Sequence, residues 1–175
     1  KSFSLLTNKP ILYIANVDDN EIANNCRGDY STIVKEFAKK RGNNAIRLCG
    51  QIEMEISLFD ADEKELFLSE YNMDEPGLNK LIKSSYDLLG LSTFFTAGEK
   101  EVKAWTIRKG YSAPQAAGVI HSDFERGFIK ADIYHYNTLM EYGSESKIKE
   151  VGKMRSEGKS YIVSDGDVIF FKFNV

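Results

Sequence analysis

Cysteine, histidine, long apolar runs and excess charge are all scarce in this chain of 175 residues, and each scarcity closes off a class of protein. Two cysteines, Cys26 and Cys49, allow at most one disulfide, so the chain is no disulfide-stapled scaffold and reads as a protein of a reducing, cytoplasmic compartment. Two histidines, His121 and His135, both in the second half, supply no Ser-His-Asp set and too few ligands for zinc, since the cysteines lie far away in the first half. The N-terminal stretch KSFSLLTNKPILYIAN is broken by asparagine, lysine and proline, which excludes a signal peptide and a spanning helix and with them a membrane partner. A net charge of −3 announces neither a DNA-binding protein nor an acidic tail. Repeats and low-complexity tracts are absent from the sequence as well.

What is present is an ordinary globular composition, 42% hydrophobic and 28% charged. A chain of this size buries about 70% of its unfolded surface, enough for a core without staples. The charge is uneven: residues 1–90 carry 11 basic and 15 acidic side chains, residues 91–175 carry 12 and 11. A basic face in the second half is therefore compatible with the total, because clustering matters more than the sum.

The first half reads strand, helix, strand: ILYIAN, then DYSTIVKEFAKKRGNN with Tyr30, Ile33, Val34, Phe37 and Ala38 on one helical face, then AIRLC. Asp29 or Ser31 suits the start of that helix and Gly42 its end. Such a unit implies a right-handed parallel crossover, hence the edge of an α/β sheet. Helical segments follow, with Asp60 and Glu63 at capping-box spacing, and EPGLNKLIKSSYDLLGL aligns Leu78, Leu81, Ile82, Ser85 and Leu89 between Pro76 and Gly90. The texture changes after Gly90, which marks the expected boundary between a domain over 1–90 and another over 91–175.

The second half opens with TFFTA and VKAWTI around a Gly98-Glu99-Lys100 turn, which predicts a hairpin. A helix opening at Ser112 or Ala113 with Pro114 in its first turn, the strand GFIKADIY, a polar helical region to about Arg155, and YIVSDGDVIFFKF complete it. Asp165-Gly166 is expected to turn between two final strands. Hairpin, helix, strand and closing strands make an α+β, β-grasp (ubiquitin-like) arrangement.

Few residues carry chemistry. Gly158-Lys159-Ser160 ends like a phosphate-binding loop, but that pattern needs glycine at 153, where Lys153 stands, and a helix afterwards, where a strand is expected. The chain holds no phosphate loop. Asn16 and Asp19, three apart after an apolar strand, have the spacing with which nucleotide-binding domains read a purine base, although Asn and Asp after a strand are also ordinary turn residues. Cys49 and Gly50, in LCGQIE, end the second strand where such domains offer a small-residue loop to the base edge. Cys49 itself reads as buried and inert, with a redox-sensitive thiol as the alternative. The cluster HSDFERGF, which brings His121, Asp123, Glu125 and Arg126 together, reads as a surface loop with local hydrogen bonds, with a metal or acid-base site as the alternative. Phe94, Phe95, Trp105, Phe170, Phe171 and Phe173 are candidates for base stacking, with core packing as the default for about half of them by strand alternation.

The blocks LSTFFTAGEKEVKAWTIRKGYSAPQAAGVIHSDFERGFIKADI and GKMRSEGKSYIVSDGDVIFFKFNV resemble the C-terminal end of the YchF/Obg-like ATPases, including their TGS domain. NKPILYIANVDD and DEPGLNKLIKSSYDLLGL resemble the last part of that family's G domain, so the likeness spans essentially the whole chain. It implies the α/β edge of a P-loop G domain over 1–90, a TGS domain over 91–175, and a C-terminal fragment whose phosphate loop and coiled-coil insertion lie upstream. It also implies ATP with Mg2+ as cofactors of the full-length protein, with none bound and no activity for the fragment alone. The family's N-x-x-E specificity motif falls on Asn16 and Asp19, with aspartate in place of glutamate. Val17 resembles the family's apolar second position and points to ATP, whereas an aspartate is also what guanine readers use. The TGS domain implies a ribosome contact, on the large subunit, or RNA, for which Lys103, Arg108, Lys109, Arg126, Lys130, Lys153, Arg155 and Lys159 are the basic candidates. A non-catalytic RNA- or protein-interaction module is the alternative.

Overall fold

The computed structural model describes residues 5–23, 29–98 and 101–174. The chain divides into two compact units, Lys1–Leu89 and Gly90–Val175.

In the first unit β1 (Leu12–Asn16) and β2 (Asn44–Leu48) pair in parallel, from Leu12 opposite Asn44 to Asn16 opposite Leu48. The crossover between them carries α1 (Asp19–Ala23) and α2 (Asp29–Lys40). Because α2 already begins at Asp29, Ser31 lies inside its first turn instead of capping it. Alternation along β1 sends Tyr13 toward α2, where it meets Phe37 edge to face at 5.7 Å. The opposite face, with Leu48, abuts the start of α5 (Gly77–Leu89), so the sheet lies between two helices.

The expected apolar stripe of α2 is only partly used. Ala38 is buried, but Tyr30 is 84% exposed, and Ile33 and Phe37 are exposed as well. Two strands spaced roughly 4.8 Å apart are too narrow to cover a helix face of that width. Leu78, Ile82 and Leu89 of α5 stand exposed for the same reason. The buried centre of this unit lies instead around α3 (Gly50–Ile56) and α4 (Ala61–Glu70): Cys49, Ile52 and Ile56 pack against Val17, Ile22, Phe67, Leu68, Tyr71 and Met73. At the start of α4 the capping box forms, with Asp60 accepting from the Asp62 and Glu63 amides and Glu63 accepting from the Asp60 amide.

The second unit is a five-stranded sheet. β3 (Leu91–Ala97) and β4 (Val102–Arg108) form the hairpin; of its expected turn, Glu99 and Lys100 lie outside the described residues. Then come α6 (Ala113–Ile120), α7 (Ser122–Arg126), β5 (Phe128–His135), α8 (Tyr136–Tyr142), α9 (Glu145–Glu150), β6 (Arg155–Glu157) and β7 (Asp167–Phe173). The strand order is β4-β3-β7-β5-β6, with β7 parallel to β3 and antiparallel to β5. One face packs Phe94, Ile107, Ile133 and Ile169 on Ala113, Ala116 and Ala117 of α6. Tyr134, Val168 and Ile148, joined by Leu139 and Tyr142, form a second core on the other face, under α8 and α9.

Two local expectations change. YIV, expected as a strand before the Asp165-Gly166 turn, makes only an isolated bridge between Ile162 and Ser112. Asp167, almost wholly buried, accepts from the Tyr161 hydroxyl at 2.7 Å and the Ser164 amide at 2.8 Å, which folds the segment into a turn before β7, while the Ala113 amide donates to the Tyr161 carbonyl at 2.8 Å and the Val163 amide to the Tyr111 carbonyl at 2.9 Å, which holds it at the start of α6. The edge strand is β6, directly after the expected helical region.

Candidate functional site

In open α/β sheets ligands approach the carboxyl ends of parallel strands. Here those ends are Asn16 and Leu48, register partners in adjacent strands. The Val17 amide donates to the Leu48 carbonyl at 2.9 Å, and the Gly50 amide donates to Asn16 Oδ1 at 3.0 Å. Asn16 therefore ties the loop after β1 to the loop after β2, and Val17, Cys49 and Gly50 gather at one end of the sheet. The thiol of Cys49 is buried and unpaired with any cysteine.

Asp19 opens α1. Its Oδ1 accepts from the Asn20 amide at 2.9 Å and faces Asn20 Nδ2 at 3.3 Å. The neighbouring Asp18 does the capping, with Oδ1 accepting from the Glu21 amide at 2.8 Å. The division of labour is chemically useful: Asp18 secures the turn, which leaves Asp19 free of that task.

Three residues around this corner escaped the sequence reading. Burial, followed by the nearby Asp19 and Glu55 carboxylates, raises the Tyr71 phenol above its ordinary pKa. Tyr71 stacks on Phe67 at 4.8 Å. Glu53 accepts from the Gly77 amide at 2.7 Å and the Leu78 amide at 3.0 Å. Gly77 itself is buried. Together with Cys49, Leu48, Ile52, Arg47 and Lys80 these residues line a cleft of about 620 Å³. Tyr71 and Gly77 lie more than twenty residues from the strand ends in sequence, so no local pattern pointed to them.

Elsewhere the motifs resolve into structure. Gly158-Lys159-Ser160 forms a turn in which the Tyr161 amide donates to the Gly158 carbonyl, and no helix follows. In HSDFERGF, His121 Nδ1 accepts from the Asp123 amide at 3.2 Å to cap α7, and Asp123 pairs with Arg126. Among the described residues no group of three or more His, Cys, Asp or Glu is placed to hold a metal, and no helix is long and apolar enough to cross a membrane.

The basic candidates do not share one surface. Lys103 lies over Trp105, its Nζ 4.0 Å from the ring centroid, as period two requires, whereas Arg108 has the opposite parity and faces the other side of β4. Lys130 lies 3.9 Å from Asp132, and Arg155 lies 3.6 Å from Glu157 while donating to the Tyr161 hydroxyl at 3.2 Å. The Lys109 amide donates to the Gly90 carbonyl at 2.8 Å. Among the described residues Lys153 and Lys159 form no ion pair. Of the aromatic candidates Phe94 is buried in the core, and Phe95, Trp105, Phe170, Phe171 and Phe173 are half-buried.

Comparison with known proteins places these features in context. Residues 91–174 match the family YchF-GTPase_C, described as a protein of unknown function (DUF933). The chain is 51% identical over its whole length to a protein of Bacillus subtilis named Ribosome-binding ATPase YchF, covering 48% of that protein. A protein of the same name from Pasteurella multocida is 50% identical, with 47% of it covered. The chain thus spans about half the length of the curated relatives it matches. Among solved structures, the Schizosaccharomyces pombe YchF GTPase superposes with a TM-score of 0.80 at 35% identity, over 96% of this chain and 44% of that one. A GTP binding protein from Pyrococcus horikoshii gives 0.63 at 19% identity, covering 95% of this chain and 46% of that one, a likeness of fold.

Proposed function

The chain belongs to the YchF family, and from that premise we propose that it is the distal edge of a P-loop G domain joined to a β-grasp TGS domain, within a ribosome-associated, ATP-preferring nucleotide hydrolase of the cytoplasm. The observation that carries this reading is the hydrogen bond from the Gly50 amide to Asn16 Oδ1 at 3.0 Å. It joins two loops at the carboxyl end of parallel strands, where open α/β sheets bind their ligands. Asn16 braces the corner, Val17, Cys49 and Gly50 line the base edge, and Asp19 presents a carboxylate that can accept from the exocyclic amino group of the purine. The narrowness of the parallel sheet, two strands only, supports the same reading, because parallel strands belong to larger sheets.

The residues of this chain fit the base and not the rest of the nucleotide. Bound Mg2+ would neutralise phosphate charge during transfer. The described residues offer neither a phosphate loop nor a metal cluster for it, so hydrolysis is assigned to the longer protein. The second unit supplies the RNA or large-subunit contact through a basic surface that includes Lys153 and Lys159, which form no ion pair among the described residues.

The test is made in the full-length protein. Asp19→Ala should weaken the preferred nucleotide selectively, by the roughly 1.5–3 kcal/mol of a lost charged hydrogen bond, and Asp19→Glu should shift the ratio of ATP to GTP affinity. Equal effects on both nucleotides would make Asp19 a turn residue only. The present chain alone should titrate with ATP more weakly than about 10 μM, roughly −7 kcal/mol, because the phosphate contacts are missing. Tighter binding would overturn the reading.

A further inference from the structure

We infer that Glu53 is a positioning residue for the base-reading corner, holding α3 at the axial position that keeps the Gly50 amide on Asn16. The inference rests on the base-reading role proposed for Asn16.

The geometry is a relay of caps passed between elements. The first amides of a helix have no partner within it. In α3 the cap residue Cys49 offers no side-chain bond, and the first amide, of Gly50, is taken by Asn16 from β1. One turn later along the same helix, Glu53 reaches outward and takes the first two amides of α5, with Oε1 on Gly77 at 2.7 Å and Oε2 on Leu78 at 3.0 Å. So β1 caps α3, and α3 caps α5.

The clasp leaves little play. Gly77 is buried, and a Cβ built there would lie 2.7 Å from Glu53 Oε1 and 3.1 Å from Leu48 Cβ. Leu48 is the residue whose carbonyl receives the Val17 amide. The start of α5 is therefore pressed against the end of β2 on one side and bonded to α3 on the other. The buried Ile52 and Ile56 also hold α3, but apolar contact has no preferred direction and tolerates sliding along the helix axis. Two charge-assisted hydrogen bonds from one carboxylate do not. Glu53 lies one turn from Gly50, so a shift of α3 that lengthens the clasp also draws the Gly50 amide off Asn16.

Two measurements on the full-length protein decide the matter. Glu53→Gln preserves volume but accepts one amide in place of two, and Glu53→Ala removes both bonds. Hydrogen exchange over residues 49–53 should accelerate about tenfold in Glu53→Gln, the factor that accompanies loss of one charge-assisted bond, and more in Glu53→Ala, which loses both. Unchanged exchange in both variants would overturn the inference. Affinities for ATP and GTP are measured alongside, with Asn16→Ala as reference. Glu53→Ala should shift the ratio of the two affinities in the same direction as Asn16→Ala, with Glu53→Gln intermediate, whereas a merely structural residue would lower both affinities equally. A wild-type ratio in both Glu53 variants beside an altered one in Asn16→Ala would also overturn it. If Asn16→Ala changes neither affinity, the base-reading proposal itself fails, and exchange at 49–53 still decides whether Glu53 holds the loop.

Discussion

Two glycines near the proposed base-reading corner face opposite constraints. A Cβ at Gly77 would crowd Glu53 Oε1 and Leu48 Cβ, whereas one at Gly50 would meet Asn16 Oδ1 at 3.4 Å, an ordinary contact. Gly77→Ala should therefore lose about 1–3 kcal/mol, the cost of breaking the bonds of the half-buried Glu53 carboxylate to the Gly77 and Leu78 amides. Gly50→Ala should stay within about 1 kcal/mol of wild type, because it also restricts the unfolded chain. Urea unfolding of the two variants checks this, and equal losses would refute it. A second residue-scale device lies in the other unit, where burial and then the hydrogen bond to Asp167 raise the Tyr161 phenol above its ordinary pKa. A phenol whose folded pKa is raised stabilises the fold fully below its unfolded value near 10, and that contribution drains away as pH rises through the folded one. Stability should thus fall above about pH 10, and Tyr161→Phe should flatten that fall while costing about 1.5–3 kcal/mol at pH 7, the range for a bond to a charged group. A variant with the wild-type alkaline slope would sink the idea. Asn16 and Gly50 were legible in the sequence because each lies at or just after the end of an apolar strand, Asn16 closing β1 and Gly50 opening α3 two residues after β2. Glu53 and Gly77 were not, since their bond spans 24 positions and neither residue type is unusual where it stands.

Elements announced by local chemistry formed as expected. The capping box of Asp60 and Glu63 starts α4, and Ser112 with Gln115 caps α6 just ahead of Pro114. Each is settled within four residues, which is the range over which a sequence pattern speaks. YIV misled because β-propensity describes a half-buried pleated surface, and the side chain of Asp167 recruited that segment into a capped turn instead. β6 was missed because three residues at a sheet edge carry no periodicity. The same dependence on tertiary partners alters the choice of basic residues for testing an RNA contact. Reversing Arg155 would disturb its bond to Tyr161, so Lys153 and Lys159 make the cleaner pair. Lys153→Glu with Lys159→Glu should leave the thermal midpoint nearly unchanged. Ribosome or RNA affinity of the full-length protein should lose salt dependence, by about 0.7 in log-log slope for each single-strand phosphate contact removed. An unaltered slope and affinity would take this pair out of the contact and favour a protein partner.

The two units differ in how fully each covers its own apolar surface, and that difference sets how each responds to denaturant. Gly90–Val175 closes a five-stranded sheet on both faces, with Phe94 and Ile133 fully buried on one and Ile148 fully buried on the other. Lys1–Leu89 rests on a two-stranded parallel sheet and a small cluster around Cys49, Ile52 and Ile56, and it leaves Tyr30, Ile33, Phe37, Leu78, Ile82 and Leu89 exposed. Burial contributes about 25 cal/mol per Å² of apolar surface. Uncovered side chains of this size therefore forgo several kcal/mol that a wider sheet would recover. Urea should consequently unfold the chain in two steps, the first melting residues 1–89. Residues 90–175 prepared alone should unfold at the midpoint of the second step. In the full-length protein, where the proposed G domain supplies the missing strands, the first midpoint should move up toward the second. Amide exchange resolved along the sequence distinguishes the steps, with protection at Ile14 and Ile46 lost before protection at Ile107 and Ile169. A single cooperative transition of this chain, or a first midpoint unmoved in the full-length protein, would show that the exposed faces are native surface and would remove the case for a larger sheet.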